Sequence, residues 1–269
     1  MSRRRFIADA VDGDRAMLVD AHARHLSRVL RARVGQEFDI IAAGRVRRGR
    51  VIAVEAHQVE FELGEDIPAA ALAPVTLYLA IIKFDRLEWA IEKCTELGAS
   101  RIVPLIAART DTRLAVAAEK RTERWRRLAA QASEQSRRVT PPEIGTPLRL
   151  KREALAIAGT RIVLAESEHR ILLRDALRDR LSLSQAQDQL PVSPVESSPG
   201  GTASGLSRTP EPVFPEVTLA LGPEGGWTET ELSWFSATGW TPATLGPAIL
   251  RAETAALAAL AIVRSELSR

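Results

Sequence analysis

The spacing of apolar and polar positions changes near residue 75 and divides the chain. Before that point the apolar runs are short: Phe38-Asp39-Ile40-Ile41, Val46 to Val54, and Val59-Glu60-Phe61-Glu62-Leu63, punctuated by Gly44 and Gly64. Such runs, bounded by glycine, predict strands. Between a first strand and these, His22 to Arg31 carries Leu26, Val29 and Leu30 at helical spacing, and Gly35 follows as a turn. One short helix among short strands predicts a compact β-barrel over residues 1–72, with Ala69 to Pro74 as the linker.

From residue 75 the texture is different. Val75 to Ile82 is continuously apolar, as expected of a strand buried on both faces. Asp85 opens a predicted helix and has capping-box spacing to Glu88. Leu87, Ala90, Ile91, Cys94 and Leu97 form one apolar stripe, and Gly98 is placed to end the helix. A strand at Ile102 to Ile106, a helix at about 119–136, a strand at Arg161 to Ala165, a short helix at about Leu172 to Leu181 and a strand at Val217 to Leu221 follow. Strands alternating with helices predict an α/β domain with a mostly parallel sheet over residues 73–269. Ser184 to Glu216 is rich in Pro, Ser, Gly and Gln, lacks a hydrophobic period, and is expected to be a disordered surface insertion within that domain.

Composition narrows the function. Of the 269 residues, 45% are hydrophobic and 26% charged, which supports a real core and excludes wholesale disorder. A single cysteine, Cys94, excludes an internal disulfide and a Cys-rich zinc site, and its place on the stripe makes it a core residue. His22 and His25 lie three apart without a third ligand nearby, so no metal is expected. No apolar run reaches the roughly 18 residues of a membrane span. The basic N-terminus is not followed by a signal-type apolar stretch. A soluble cytoplasmic protein with no membrane attachment is expected.

The net charge of +3 conceals clustering. Residues 1–50 hold 12 Arg against 6 acids, and residues 120–138 hold 7 basic residues against Glu123 and Glu134. Two basic segments point to a polyanionic partner, RNA or DNA first; the alternative is a solvated face in an arginine-rich protein. On charge alone both stay open.

Glycine placement supplies the chemistry. The turn after the first α/β strand, Lys83-Phe84-Asp85-Arg86, has none, unlike a dinucleotide-binding domain. The glycine motifs lie near the C-terminus: Leu221-Gly222-Pro223-Glu224-Gly225-Gly226-Trp227, and Leu245-Gly246-Pro247-Ala248-Ile249-Leu250-Arg251 leading into a last helix. One such loop is most simply a tight turn. Two at the C-terminal ends of neighbouring strands favour a pocket lined by backbone groups, suited to an adenine edge and a ribose. The Gly-x-x-x-x-Gly-Lys-Ser/Thr phosphate loop is absent.

With these loops, the chain closely resembles the RsmE family, the 16S rRNA uridine-N3 methyltransferases of the SPOUT superfamily. The resemblance rests also on Arg4-Arg5-Phe6, on His25-Leu26-x-x-Val29-Leu30-Arg31-x-x-x-Gly35, on Glu88-Trp89-x-x-Glu92-Lys93-x-Thr95-Glu96-Leu97-Gly98 with Ile102-Val103-Pro104-Leu105, and on Glu134-Gln135-Ser136-x-Arg138. It covers almost the whole chain. It implies a PUA-like N-terminal β-barrel that grips RNA and a C-terminal α/β domain with a deep trefoil knot. It also implies S-adenosylmethionine as cofactor, a homodimer, and 16S rRNA of the small ribosomal subunit, in the decoding region, as substrate. One departure stands out: Ala248 occupies the position where the family usually has arginine, which either weakens a contact or is neutral.

The resemblance assigns cofactor contacts to Ala165 and Glu166, to Leu221, Gly222, Pro223, Gly225 and Gly226, and to Leu245, Gly246, Ile249, Leu250, Thr254 and Ala255. Arg251 is the leading catalytic residue, with its cation facing the uracil oxygens; the alternative is a structural pair with Glu253 or Glu224. Glu224 is either a base or a cap. Arg4, Arg5, Arg28, Arg31 and Arg138 are the RNA candidates. Two other readings compete: a methyltransferase of this fold with another RNA target, and an assembly factor that binds RNA without catalysis.

Overall fold

A computed structural model describes residues 5–68, 72–188 and 215–268. The N-terminal part runs β1 (Arg5–Ile7), β2 (Ala10–Asp12), β3 (Arg15–Val19), α1 (Asp20–Arg24), β4 (Glu37–Ala42), β5 (Arg45–Val54) and β6 (Gln58–Asp66). These strands form one sheet in the order β1-β4-β5-β6-β3-β2, antiparallel except for β1 on β4. The amides of Ala8 and Asp9, adjacent in sequence, donate to Ile41 O in β4 and Met17 O in β3, each at 2.9 Å. The two ends of the strand order therefore approach each other, and the sheet curls into a half-barrel. Leu18, Leu26, Ile40, Val51 and Phe61 fill it. Gly49 is required at its crowded centre, because a Cβ there would lie 2.3 Å from Ile40 Cγ1. The helix expected over 22–31 is instead α1 followed by a π-helical turn at His25–Val29.

The second part runs β7 (Val75–Ala80), α2 (Phe84–Glu96), β8 (Arg101–Ile106), α3 (Thr112–Ala118), α4 (Thr122–Gln135), β9 (Glu143–Ile144), β10 (Leu148–Arg149), β11 (Thr160–Leu164), α5 (Leu173–Asp188), β12 (Val217–Leu221), α6 (Glu229–Ala237), β13 (Thr241–Ala243) and α7 (Ala252–Leu267). Its strands pair in parallel, in the order β10-β8-β7-β12-β11-β13, with β9 also on β8. Strand alternation feeds two cores. Leu77, Ile102, Ile162 and Leu219 face the layer of α2, α4, α5 and α7, while Tyr78, Val103, Val163 and Ala220 face α6 with Trp227, Phe235 and Trp240. Cys94 is buried in the first core, and burial pushes its thiol up to about 12.

Several expectations need correction. Asp85 does not cap α2: Lys83 precedes the helix without a side-chain cap, and Glu88 instead accepts from Arg124 at 2.8 and 2.9 Å and from Arg121. The capping box is elsewhere, between Thr228 and Glu231 at the start of α6. The helix expected over 119–136 is preceded by α3 and joined to it by a 3₁₀ turn at Glu119–Arg121. Helix α5 continues to Asp188, so the first five residues of the expected insertion are helical; residues 189–214 lie outside the described residues. The short strands β9, β10 and β13 were not anticipated, since two- and three-residue runs carry no periodicity.

Candidate active site

Three loops leave the C-terminal ends of β11, β12 and β13 and surround one cavity of about 550 Å³. The two glycine loops follow β12 and β13, which are not neighbours as expected: β11 lies between them and contributes Ala165, Glu166 and His169. In open parallel sheets, ligand crevices form at this edge.

The loop after β12 is held in place from several directions. Trp227 Nε1 donates to Leu164 O at 2.8 Å, which lays the indole against Gly222; a Cβ at Gly222 would meet it at 3.1 Å. Arg109 donates to Gly225 O at 2.5 Å and to Trp227 O at 3.3 Å. Glu231, 2% exposed, accepts from Ala108 N at 2.7 Å and from Thr228 N at 2.8 Å. The segment after β8 thus clasps the glycine loop through both Arg109 and Glu231. Gly226 has φ +69°, which favours glycine.

The loop after β13 is shaped by Thr244, whose hydroxyl accepts from Gly246 N at 3.3 Å, and by Gly246 itself at φ +114°. It delivers the chain to α7, with Arg251 as the residue before the first turn and Ala252 and Ala255 on the cavity wall. Arg251 is exposed at the rim, and among the described residues its side chain has no hydrogen bond or ion pair. The two carboxylates expected as its structural partners are engaged elsewhere: Arg86 contacts Glu224 at 3.4 Å and Glu253 at 3.8 Å.

Most anticipated pocket residues line the cavity: Ala165 and Glu166; Leu221, Gly222, Pro223, Glu224 and Gly226; and Leu245, Gly246, Ile249, Leu250 and Ala255. Two do not. Gly225 faces the Arg109 side chain, and Thr254 is exposed on α7 beyond the wall. Ala248 also lines the cavity. Of the RNA candidates, Arg4 lies outside the described residues, Arg5 is half-buried, and Arg28 and Arg31 are exposed. Arg138 does not face this cavity. It donates to Thr95 O at 2.6 Å and Ala99 O at 2.8 Å, tying down the end of α2.

His169, Thr244, Trp227, Arg109 and Arg86 were missed. Trp227 adjoins the glycine motif and was within reach of sequence reasoning. Arg109 and Arg86 act on residues more than a hundred positions away, and no local pattern marks them. Among the described residues no group of three or more His, Cys, Asp or Glu is placed to hold a metal, and no helix is long and apolar enough to cross a membrane.

A glycine-looped cavity on the C-terminal edge of a parallel sheet defines a ligand-binding α/β domain, and comparison with known proteins specifies its kind. Residues 69–193 and 194–264 match the model of the RNA methyltransferase domain family. The ribosomal RNA small subunit methyltransferase E of Synechocystis is 32% identical over 92% of this chain and 72% of its own length. That of Bacillus subtilis is 34% identical over 71% of this chain and 66% of its own. The crystal structure of the Neisseria gonorrhoeae enzyme of that name, bound to S-adenosyl methionine, superposes with a TM-score of 0.65 at 26% identity, covering 98% of this chain and 97% of the other. The chain belongs to the ribosomal RNA small subunit methyltransferase E family.

Proposed function

We propose that this protein transfers the methyl group of S-adenosylmethionine to N3 of a uridine in the decoding region of 16S rRNA, acting on the assembled small subunit. The observation that carries this reading is Arg251, unpaired at the rim of the glycine-looped cavity in a chain of this family. The cavity fits the cofactor. Backbone at Gly222 and Gly246 and apolar Leu221, Leu245 and Leu250 suit an adenosine, and the carboxylate of Glu166 suits the positive charges of the methionine part. No phosphate-binding lysine is present at the loops, which argues against a nucleoside triphosphate.

When bound, the cofactor supplies a methyl group on a sulfonium: the N3–carbon bond forms as the carbon–sulfur bond breaks, and a neutral thioether leaves. The chain's own residues prepare the acceptor. Uridine N3 carries a proton at neutral pH, and the ring becomes nucleophilic as that proton leaves. Arg251 faces the uracil oxygens and holds the negative charge that develops on them. Glu224 takes the N3 proton; its Oε1 is steadied by Arg86. The remaining work is to hold two reactants in line, which the clasped loops do.

In the same reading the α/β domain is of SPOUT type with a deep trefoil knot, and the curled N-terminal sheet is PUA-like. That sheet grips RNA through Arg4, Arg5, Arg28 and Arg31. The protein acts as a homodimer in the cytoplasm, and the chemistry requires no metal.

The test uses purified protein, labelled cofactor and small ribosomal subunits from a strain lacking the corresponding gene, with the rRNA digested to nucleosides for mass spectrometry. The expected product is 3-methyluridine, absent with Arg251→Ala. Another methylated nucleoside would reassign the target. Cofactor binding with no product, while an active relative modifies the same subunits, would sink the enzymatic reading in favour of a binding factor.

A further inference from the structure

We infer that Arg86 is a positioning residue for this reaction: by engaging Glu224 on the cavity wall and Glu253 in the first turn of α7, it keeps the Arg251 guanidinium free for the substrate. The inference rests on the role proposed above for Arg251.

Three elements meet at Arg86. It lies in the first turn of α2, at the C-terminal end of β7, beside β12 in the sheet. Its Nη1 is 3.4 Å from Glu224 Oε1 on the loop after β12, and its Nε is 3.8 Å from Glu253 Oε1 in the first turn of α7. The Glu253 side chain is only 9% exposed, and its Oε2 is buried without a hydrogen-bond partner. The start of α7 favours that negative charge, but a buried carboxylate deprived of its cation is strongly unfavourable. Arg251 stands two residues before Glu253, and Glu224 lines the same cavity. Arg251 is therefore the cation to which both carboxylates would turn if Arg86 were removed.

Such a capture would withdraw the guanidinium from the cavity and neutralise it, while Arg109 and Trp227 still anchor the loop after β12. The planar fork of arginine reaches two carboxylates on different elements at once, which the single ammonium of lysine does less well. The residue thus acts through Arg251 and Glu224 and touches neither reactant.

The test is steady-state methylation of small subunits by the full-length protein and its Arg86→Gln, Arg86→Lys, Glu253→Gln and Arg86→Gln/Glu253→Gln variants. A substitution that withdraws a transition-state contact lowers kcat, so Arg86→Gln is expected to lose about tenfold in kcat with KM for the cofactor changed by less than about twofold. Arg86→Lys should fall between it and wild type. The double variant should recover part of the lost kcat, because the buried one of the two carboxylates that capture Arg251 is gone while Glu224 remains. A merely structural role predicts no such recovery. If Arg86→Gln does not fold, the same recovery is sought by adding Glu253→Gln to Arg86→Lys. Wild-type kcat in Arg86→Gln, or a double variant no better than the single, overturns the inference while leaving the reaction intact. A wild-type protein that makes no 3-methyluridine overturns the reaction and the inference together.

Discussion

The two edges of the parallel sheet use arginine in opposite ways. At the edge where the strands begin, Arg138 and Arg264 converge on the end of α2. Arg138 donates to the carbonyls of Thr95 and Ala99, and Arg264 to those of Ala73 and Gly98. Burial, with Arg138 alongside, pushes the Arg264 guanidinium down to about 10. At the edge where the strands end, the Arg251 side chain has no partner among the described residues, and Glu224 and Glu253 are taken by Arg86. The same side chain is a fastener where buried main-chain carbonyls around a strand start need donors, and a reagent where neighbouring charges are already paired. The difference lies in what surrounds each arginine.

That contrast can be broken by exchanging the consequences. Arg251→Ala should lower the rate of 3-methyluridine formation by about 100-fold or more, as loss of a preorganised charge does, with thermal unfolding unchanged. A parallel fall in melting temperature would show that Arg251 is a fastener too. Arg264→Met should do the reverse. Two buried carbonyls lose their donor, costing about 3 kcal/mol in denaturant unfolding, while the folded enzyme keeps its turnover. Normal stability with lost activity would refute the division of roles.

A smaller effect sharpens the account of the site edge. Glu231→Ala removes both the capping box of α6 and the acceptor for Ala108 N. A loss of about 2 kcal/mol is expected, together with weaker cofactor binding by calorimetry as the clasp on the glycine loop loosens. Unchanged binding would mean that Arg109 alone holds the loop. The mildest change belongs to the N-terminal sheet, where Arg28 and Arg31 are exposed. Arg28→Glu with Arg31→Glu should weaken RNA binding more at low salt than at high, lowering the salt slope by about 2 if each contacts one phosphate. An unchanged slope would place the RNA elsewhere.

Much of the sheet domain was legible in the chain. Val75 to Ala80 and Val217–Leu221 form strands close to where continuous apolar runs placed them, because a parallel strand covered on both faces has no polar side to show. The glycine motifs located the cavity, since they mark backbone that must turn sharply or approach a neighbour. The failures are equally physical. Asp85 and Glu88 have the spacing of a capping box, but Glu88 makes a stronger connection to Arg124 and Arg121 across α4. Burial holds no advantage for that carboxyl. Arg124 hydrogen-bonding first, against a smaller effect of desolvation, keeps Glu88 below its ordinary carboxylate value. The motif Glu134-Gln135-Ser136-x-Arg138 points Arg138 to the substrate, while in the fold its donors go to the carbonyls of Thr95 and Ala99.

Local pattern was sufficient for the longer strands and helices of the sheet domain and for the glycine loops that frame the cavity. Hydrophobic period and glycine geometry act over a few residues, and such constraints are written where they operate. Which charge meets which was settled only when the chain closed on itself. Arg86 finds Glu224 from 138 positions away, and Arg109 finds Gly225 from 116. Ion pairs between distant segments depend on the distance across the folded sheet, and that distance has no counterpart along the chain.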